Sequence, residues 1–233
     1  MKLNCDLGES SDNWYNGKDQ ELLQLVDMAN ISCGIHAGDE MLIKETLSVA
    51  IESGKKIGAH PSYPDRENFG RKSLSLTTQD LYTSIFSQLS EFLKLANGKV
   101  DYVKPHGALY HDCMTNKEVL VALQKAMNEL NWQVPIMLLA GFKSEVSIIP
   151  EAFLDRRYQN ERTLVSRSSV GSMISDPKEV LEQYIQITEH SSIIGLDGKT
   201  YEIHAESLCI HSDTPNALSI AEEIVKYKQN KAY

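Results

Sequence analysis

Chemistry in this sequence collects at the ends of short apolar runs. Tyr102-Val103 hands over to Lys104-Pro105-His106-Gly107. Pro105 has no N–H to give to a sheet ladder, so it marks where a strand stops and leaves Lys104 and His106 at the carboxyl end. Other runs end the same way. Asp6 closes the run from Leu3, and His36 follows the run from Met28 to Cys33. His60 closes the run from Ile57, Arg156 follows Ala152 to Leu154, and His211 and Asp213 follow Ser207 to Ile210. Four of the seven histidines share this placement; His111 is a weaker site candidate, and His190 and His204 fall outside the pattern.

Two chemistries suit these types. Asp6, His36, His60 and His106 are able to ligate a divalent metal, since carboxylate and imidazole are common ligands. No short ligand motif such as H-E-x-x-H is present, so spacing alone leaves the metal unassigned. The same groups suit proton transfer around a bound amide near neutral pH. Glycines 34, 38, 58 and 107 would let backbone N–H groups approach a ligand. There is no G-x-x-x-x-G-K-[ST] run, so a nucleotide would bind without a P-loop.

Arginine is distributed unevenly. All six fall in two segments, Arg66 and Arg71 in the first, Arg156, Arg157, Arg162 and Arg167 in the second, while lysine is scattered. Planar guanidinium groups suit two-point recognition of a carboxylate or phosphate. The plainer reading pairs them with Asp65, Glu67, Asp155 and Glu161.

These residues need strands to carry them and helices to space them. Strands are expected at Leu3 to Asp6, Met28 to Cys33, Ile57 to His60, the Lys104 segment, Pro135 to Leu139, Ala152 to Leu154 and Ser207 to Ile210. Helices are expected after a cap at Asp19, from Asp39 to Ser53, from Thr77 or Thr78 to Ala96, and from Asn116 to Leu130. A short helix should follow the fifth strand. Another should begin at Asp176-Pro177 and a last one near Thr214-Pro215, with the tail from Lys226 fraying. Ile193 to His204, centred on Asp197-Gly198, has the signature of a β-hairpin. Alternating strands and helices give a parallel sheet, doubly wound or closed. A doubly wound sheet would load only the strands at one switch point, whereas a barrel gathers every carboxyl end at one face. A β/α barrel of seven strands is therefore expected, as one domain over 1–233 with a hairpin excursion at about 193–205.

The 233 residues suffice for such a core. A hydrophobic share of 42% and a mean hydropathy of -0.31 are those of a soluble globular chain. No stretch reads as a membrane span or signal peptide, which predicts a cytoplasmic protein. The net charge of -9 argues against nucleic acid and anionic membranes as partners. Cys5, Cys33, Cys113 and Cys209 lack C-x-x-C spacing and read as buried thiols.

Taken together, Asn4 to Glu9, Ala29 to Asp39, Gly58 to Asp65, Phe69-Gly70-Arg71, Val103 to Tyr110, Phe153 to Tyr158, Leu164 to Ser168 and Ser207 to Pro215 resemble the LamB/YcsF family. The resemblance implies a seven-stranded β/α, TIM-like barrel related to the polysaccharide deacetylase fold. It also implies ATP-dependent opening of 5-oxo-L-proline to L-glutamate, with ATP as co-substrate and the B and C subunits of a 5-oxoprolinase as partners. Cys5, Ile35 and Ser212 depart from the usual alanine, phenylalanine and glycine. On this reading Asp6, His60, Lys104, His106 and Asp213 carry the chemistry, and His36, Arg71, Arg156, Arg167 and His211 bind substrate or phosphate. A metal-dependent deacetylase of N-acetylated sugars is the enzymatic alternative, favoured if zinc is tightly held. A non-catalytic carbohydrate-binding or regulatory module is the other.

Overall fold

The computed structural model of the protein describes residues 1–231. The chain begins with β1 (Lys2–Leu7), α1 (Ser11–Tyr15), α2 (Lys18–Leu25), β2 (Met28–Ser32), α3 (Glu40–Glu52) and β3 (Lys56–His60). It continues through α4 (Thr78–Leu95), β4 (Tyr102–Val103), α5 (Gly107–Thr115), α6 (Lys117–Glu129), β5 (Ile136–Leu139) and β6 (Ile148–Phe153). A small hairpin, β7 (Tyr158–Asn160) with β8 (Thr163–Leu164), precedes α7 (Pro177–His190). A second hairpin, β9 (Ser192–Ile194) with β10 (Thr200–Glu202), leads to β11 (Ser207–His211) and α8 (Ala217–Lys231).

Seven strands close into a barrel in the order β1-β11-β6-β5-β4-β3-β2, every neighbouring pair parallel. This is the architecture the strand ends predict. Side chains alternate along each strand. On β1, Leu3, Cys5 and Leu7 pack in the main apolar core with the helices. Asn4 and Asp6 point the other way, toward Asn30, Ser207 and Lys104 inside the barrel. The barrel floor is a separate apolar cluster of Met28, Tyr102 and Met137 with Ile149 against it.

Helices start where their caps dictate. Asp39 accepts the Leu42 N–H at 2.9 Å and opens α3, whose Leu42, Ile43, Leu47 and Ala50 face the core. Thr77 caps α4, Asn116 caps α6, and Asp176 followed by Pro177 starts α7.

Several expectations are corrected. Asp19 is not a cap: Gly17, in the left-handed region with φ 92°, takes that position, and Asp19 is buried in the first turn of α2. The helix expected between β5 and β6 does not form, because Phe142 and Val146 are its main apolar anchors and Pro150 disfavours helix just before it. β6 instead begins at Ile148, so Pro150 and Glu151 lie inside a strand. The short helices α1 and α5 go beyond the sequence reading. The tail stays helical through Lys231, where Lys231 Nζ reaches Glu189 at 2.7 Å; Ala232 and Tyr233 lie outside the described residues.

Candidate active site

The carboxyl ends of the barrel strands surround a cavity of about 660 Å³, a size typical of small-molecule sites. Asp6, His60, Lys104, His106 and His211 line its inner wall, and Arg71, Arg156 and Arg167 line its outer wall.

Lys104 is the centre of the inner wall. Its Nζ lies 3.0 Å from Asp6 Oδ1, 2.8 Å from Glu151 Oε1, 3.2 Å from Asn4 Oδ1 and 3.2 Å from Cys209 Sγ. Burial alone would weaken the ammonium, but the carboxylates of Asp6 and Glu151 outweigh it and hold Lys104 well above its ordinary value. Burial likewise works against the Asp6 carboxylate, and Lys104 and His60 overcome it, holding Asp6 well below the usual range. Because two carboxylates already compensate this ammonium, Lys104 organises the wall and has little charge to spare for a substrate anion. Burial, with the charge of Asp6 and Glu151, keeps Cys209 a thiol against the opposing pull of Lys104.

Below Lys104, Tyr102 donates to Asn30 Oδ1 at 2.6 Å, and Asn30 donates to Asn4 Oδ1 and Asp6 Oδ1 at 2.7 and 2.8 Å. Gly58 makes room for that tyrosine. A Cβ there would come within 2.2 Å of the Tyr102 ring, so this glycine admits a side chain and not a ligand's approach.

Beside Lys104, three histidines surround Glu9. His36 donates from Nε2 to Glu9 Oε1 at 2.9 Å and stacks on His106 with ring centroids 3.9 Å apart. His60 Nδ1 meets the Lys104 carbonyl at 2.7 Å, and His106 Nε2 meets the Phe69 carbonyl at 2.9 Å. Burial, then the charge of His106, pushes His36 down to about 4, and burial also lowers His106. At His60 the carboxylates of Asp6 and Glu9 outweigh burial and hold the ring above its ordinary value.

On the other side, the Nδ1–H of His211 donates to the fully buried Asp155, at 2.9 Å to Oδ1. Asp155 also accepts the His211 N–H at 2.9 Å and the Thr214 hydroxyl at 2.5 Å. Burial opposes its charge, but His211 and these hydrogen bonds hold Asp155 below its ordinary value. With Nδ1 fixed, Nε2 is the nitrogen left for the cavity.

The arginines divide by environment. Arg156 is 4% exposed, donates to the Val165 carbonyl at 2.6 Å, and has a buried Nε with no partner among the described residues. Burial and the like charge of Arg167 lower it to about 10, so it is cationic at neutral pH. Arg71 pairs with Asp213, and Arg167 Nη1 lies 3.5 Å from the same Asp213 Oδ2. Arg66 instead ties its loop to the Gly34 and Gly38 carbonyls, Arg157 pairs with Glu179, and Arg162 lies near Glu161.

Every site residue named from sequence therefore lies at one end of the barrel. His36 sits one layer behind the wall, and Asp213 sits on the rim as the partner of two arginines. Glu9, Glu151 and Asp155 are additions. Glu151 alone carried a signal, a carboxylate flanked by Ile148-Ile149-Pro150 and Ala152-Phe153-Leu154. Glu9 and Asp155 are ordinary acids beside loops until the fold buries them.

The profile of the LamB/YcsF family matches residues 1–233. Two proteins named as the A subunit of 5-oxoprolinase are similar over nearly their whole length. The one from Bacillus cereus (strain 03BB102) is 36% identical over 240 residues, covering 97% of this chain and 94% of that one. The one from Vibrio cholerae serotype O1 is 38% identical over 237 residues, covering 96% of each. The crystal structure of a lactam utilization protein from Thermus thermophilus superposes with a TM-score of 0.87 at 33% identity, over 100% of this chain and 97% of that one. A family 4 carbohydrate esterase from Streptomyces lividans, 10% identical, superposes with a TM-score of 0.55 over 99% of this chain and 88% of that one, which is a likeness of fold.

Proposed function

The chain belongs to the LamB/YcsF family, and from that premise we propose that it is the A subunit of an ATP-dependent 5-oxoprolinase, opening 5-oxo-L-proline to L-glutamate together with B and C subunits. One observation carries the reading: a single cavity faces a wall of carboxylate and imidazole groups, Asp6, His60, His106 and His211, with a wall of guanidinium groups led by the buried Arg156.

A five-membered lactam is a poor electrophile. Transfer of the γ-phosphoryl group of ATP to the amide oxygen activates the ring carbon. Water then adds, the ring C–N bond breaks as nitrogen takes a proton, and a second water releases phosphate from the acyl phosphate. Arg71, Arg156 and Arg167 stabilise the carboxylate and phosphoryl charges. His211, oriented by Asp155, exchanges a proton at Nε2, and Asp6, His60 and His106 face the attacking water. Lys104 keeps Asp6 ionised. We place the protein in the cytoplasm; among the described residues no helix is long and apolar enough to cross a membrane.

The test is reconstitution. Mixed with B and C subunits, ATP and 5-oxo-L-proline, the chain should release glutamate and an equal amount of ADP. Failure in a mixture that a known A-type chain renders active would overturn the reading. Acetate release from an N-acetylated sugar without ATP would support the deacetylase instead.

A further inference from the structure

His60 and His106 are each tied by one ring nitrogen to a main-chain carbonyl, at 2.7 and 2.9 Å. A carbonyl only accepts, so those nitrogens carry the hydrogens. In the neutral rings, His60 Nε2 and His106 Nδ1 are then lone-pair atoms. They lie 3.0 Å from each other, and 3.7 and 3.3 Å from Glu9 Oε1. Three acceptors thus converge in a buried place, and the one donor aimed at them among the described residues, His36 Nε2, is engaged with Glu9. Such an arrangement calls for positive charge at its centre. A proton bridges one pair of atoms; a divalent ion satisfies all three.

The dimensions agree. The point equidistant from these three atoms lies about 2 Å from each, the length of zinc bonds to imidazole nitrogen and carboxylate oxygen. The separations of 3.0 to 3.7 Å bracket the edge of roughly 3.4 Å that such bonds give in a tetrahedron. The geometry points to a divalent-cation site of zinc type, formed by Glu9 Oε1, His60 Nε2 and His106 Nδ1, with its fourth position facing the cavity. His60 and His106 themselves line that cavity, and Asp6 Oδ2, 3.5 Å from His60 Nε2, is placed to accept from a water in the fourth position. His36 acts from behind, its N–H fixing the Glu9 carboxylate as outer partners of metal ligands do. Three protein ligands and one open position is the pattern of catalytic zinc sites.

The site stands on the geometry of the cavity and not on the ring-opening reading, so its test needs no substrate. The purified chain is stripped with a chelator and titrated with Co²⁺, followed by visible absorption, with Zn²⁺ in competition. One equivalent of Co²⁺ should bind, giving d–d bands of a low-coordinate ion and no thiolate charge-transfer band. Histidine ¹⁵N spectra of the unaltered protein with Zn²⁺ should show shifts at His60 Nε2 and His106 Nδ1. His106→Gln and Glu9→Gln should each weaken binding at least about 100-fold, and His36→Gln about 10- to 100-fold. Cys209→Ser, which alters the neighbouring Asp6, Cys209 and His211 group, should leave Co²⁺ binding as it was. Absence of binding, unmoved histidine signals, or a thiolate band lost in Cys209→Ser would overturn the site. The NMR measurement decides the matter even if a variant fails to fold.

Discussion

Lys104 Nζ lies 2.8 Å from Glu151 Oε1, and the two residues reach each other across the inside of the barrel from just past β4 and from within β6. Both are buried. The contact is a buried ion pair, and Lys104 is what makes two buried carboxylates tolerable. Lys104→Met should lower unfolding free energy by about 3–5 kcal/mol in urea titration, because it leaves Asp6 and Glu151 uncompensated. Adding Glu151→Gln should recover part of the loss. A single-variant loss below about 1 kcal/mol would refute this role.

Arg156 should act through its planar fork and not only through its charge. In the reconstituted enzyme, Arg156→Lys keeps the cation but loses directed donors, and kcat/KM should fall about 10- to 100-fold. The same variant should bind inorganic phosphate or pyrophosphate more weakly in calorimetry. Unchanged constants would remove Arg156 from the anion site.

Asp155 does not itself line the cavity, yet it holds the lining residue His211 by Nδ1 and by its backbone N–H. Asp155→Asn should reduce kcat by about 10²- to 10⁴-fold with KM little changed, the behaviour of a histidine that has lost its orienting carboxylate. A loss confined to KM would mean that His211 only binds.

Asp19 gives the fold a pH dependence. Its side chain is fully buried and both oxygens lack hydrogen-bond partners among the described residues; burial, and then the charge of Glu9, push it up to about 7 against the pull of Lys18. The native state holds this proton more tightly than the unfolded chain, whose aspartates titrate near 3.9. The associated stability is full below about pH 4 and is lost as pH rises through about 7, with a slope of at most about 1.4 kcal/mol per unit. Stability of the chelated protein relative to Asp19→Asn, measured from pH 4 to 8, should decline across that window. A flat difference would show that Asp19 is not protonated in the native state.

The barrel was legible because its evidence is local. Pro105 after Val103, Pro61 after His60 and the turn residues after Ile210 each stop a strand and leave a polar group behind it. Six such stops among seven alternating strands allow one arrangement with all of them on a single face. What escaped is what the fold creates. The sequence pattern starts this strand at Ala152, because a proline such as Pro150 disfavours a central strand, whereas the strand begins at Ile148 and carries Glu151 into the barrel. Asp19 has the type of a cap, and only packing reveals it as a buried acid. Glu9 and Asp155 gain meaning from histidines 27 and 56 residues away, a distance no local pattern spans.

The arginine rim has one more consequence. Asp213 joins Arg71 from the loop after β3 to Arg167 from the loop after β8, and these side chains are 28 to 38% exposed. Mobile ions reach such charges, and at physiological ionic strength they attenuate attraction beyond about 8 Å. The same ions compete for the guanidinium groups that would capture an incoming anion. Ionic strength thus acts twice on this entrance, loosening the tie between the loops and slowing the arrival of a charged substrate, while the buried Lys104 pairing beneath stays nearly indifferent to it.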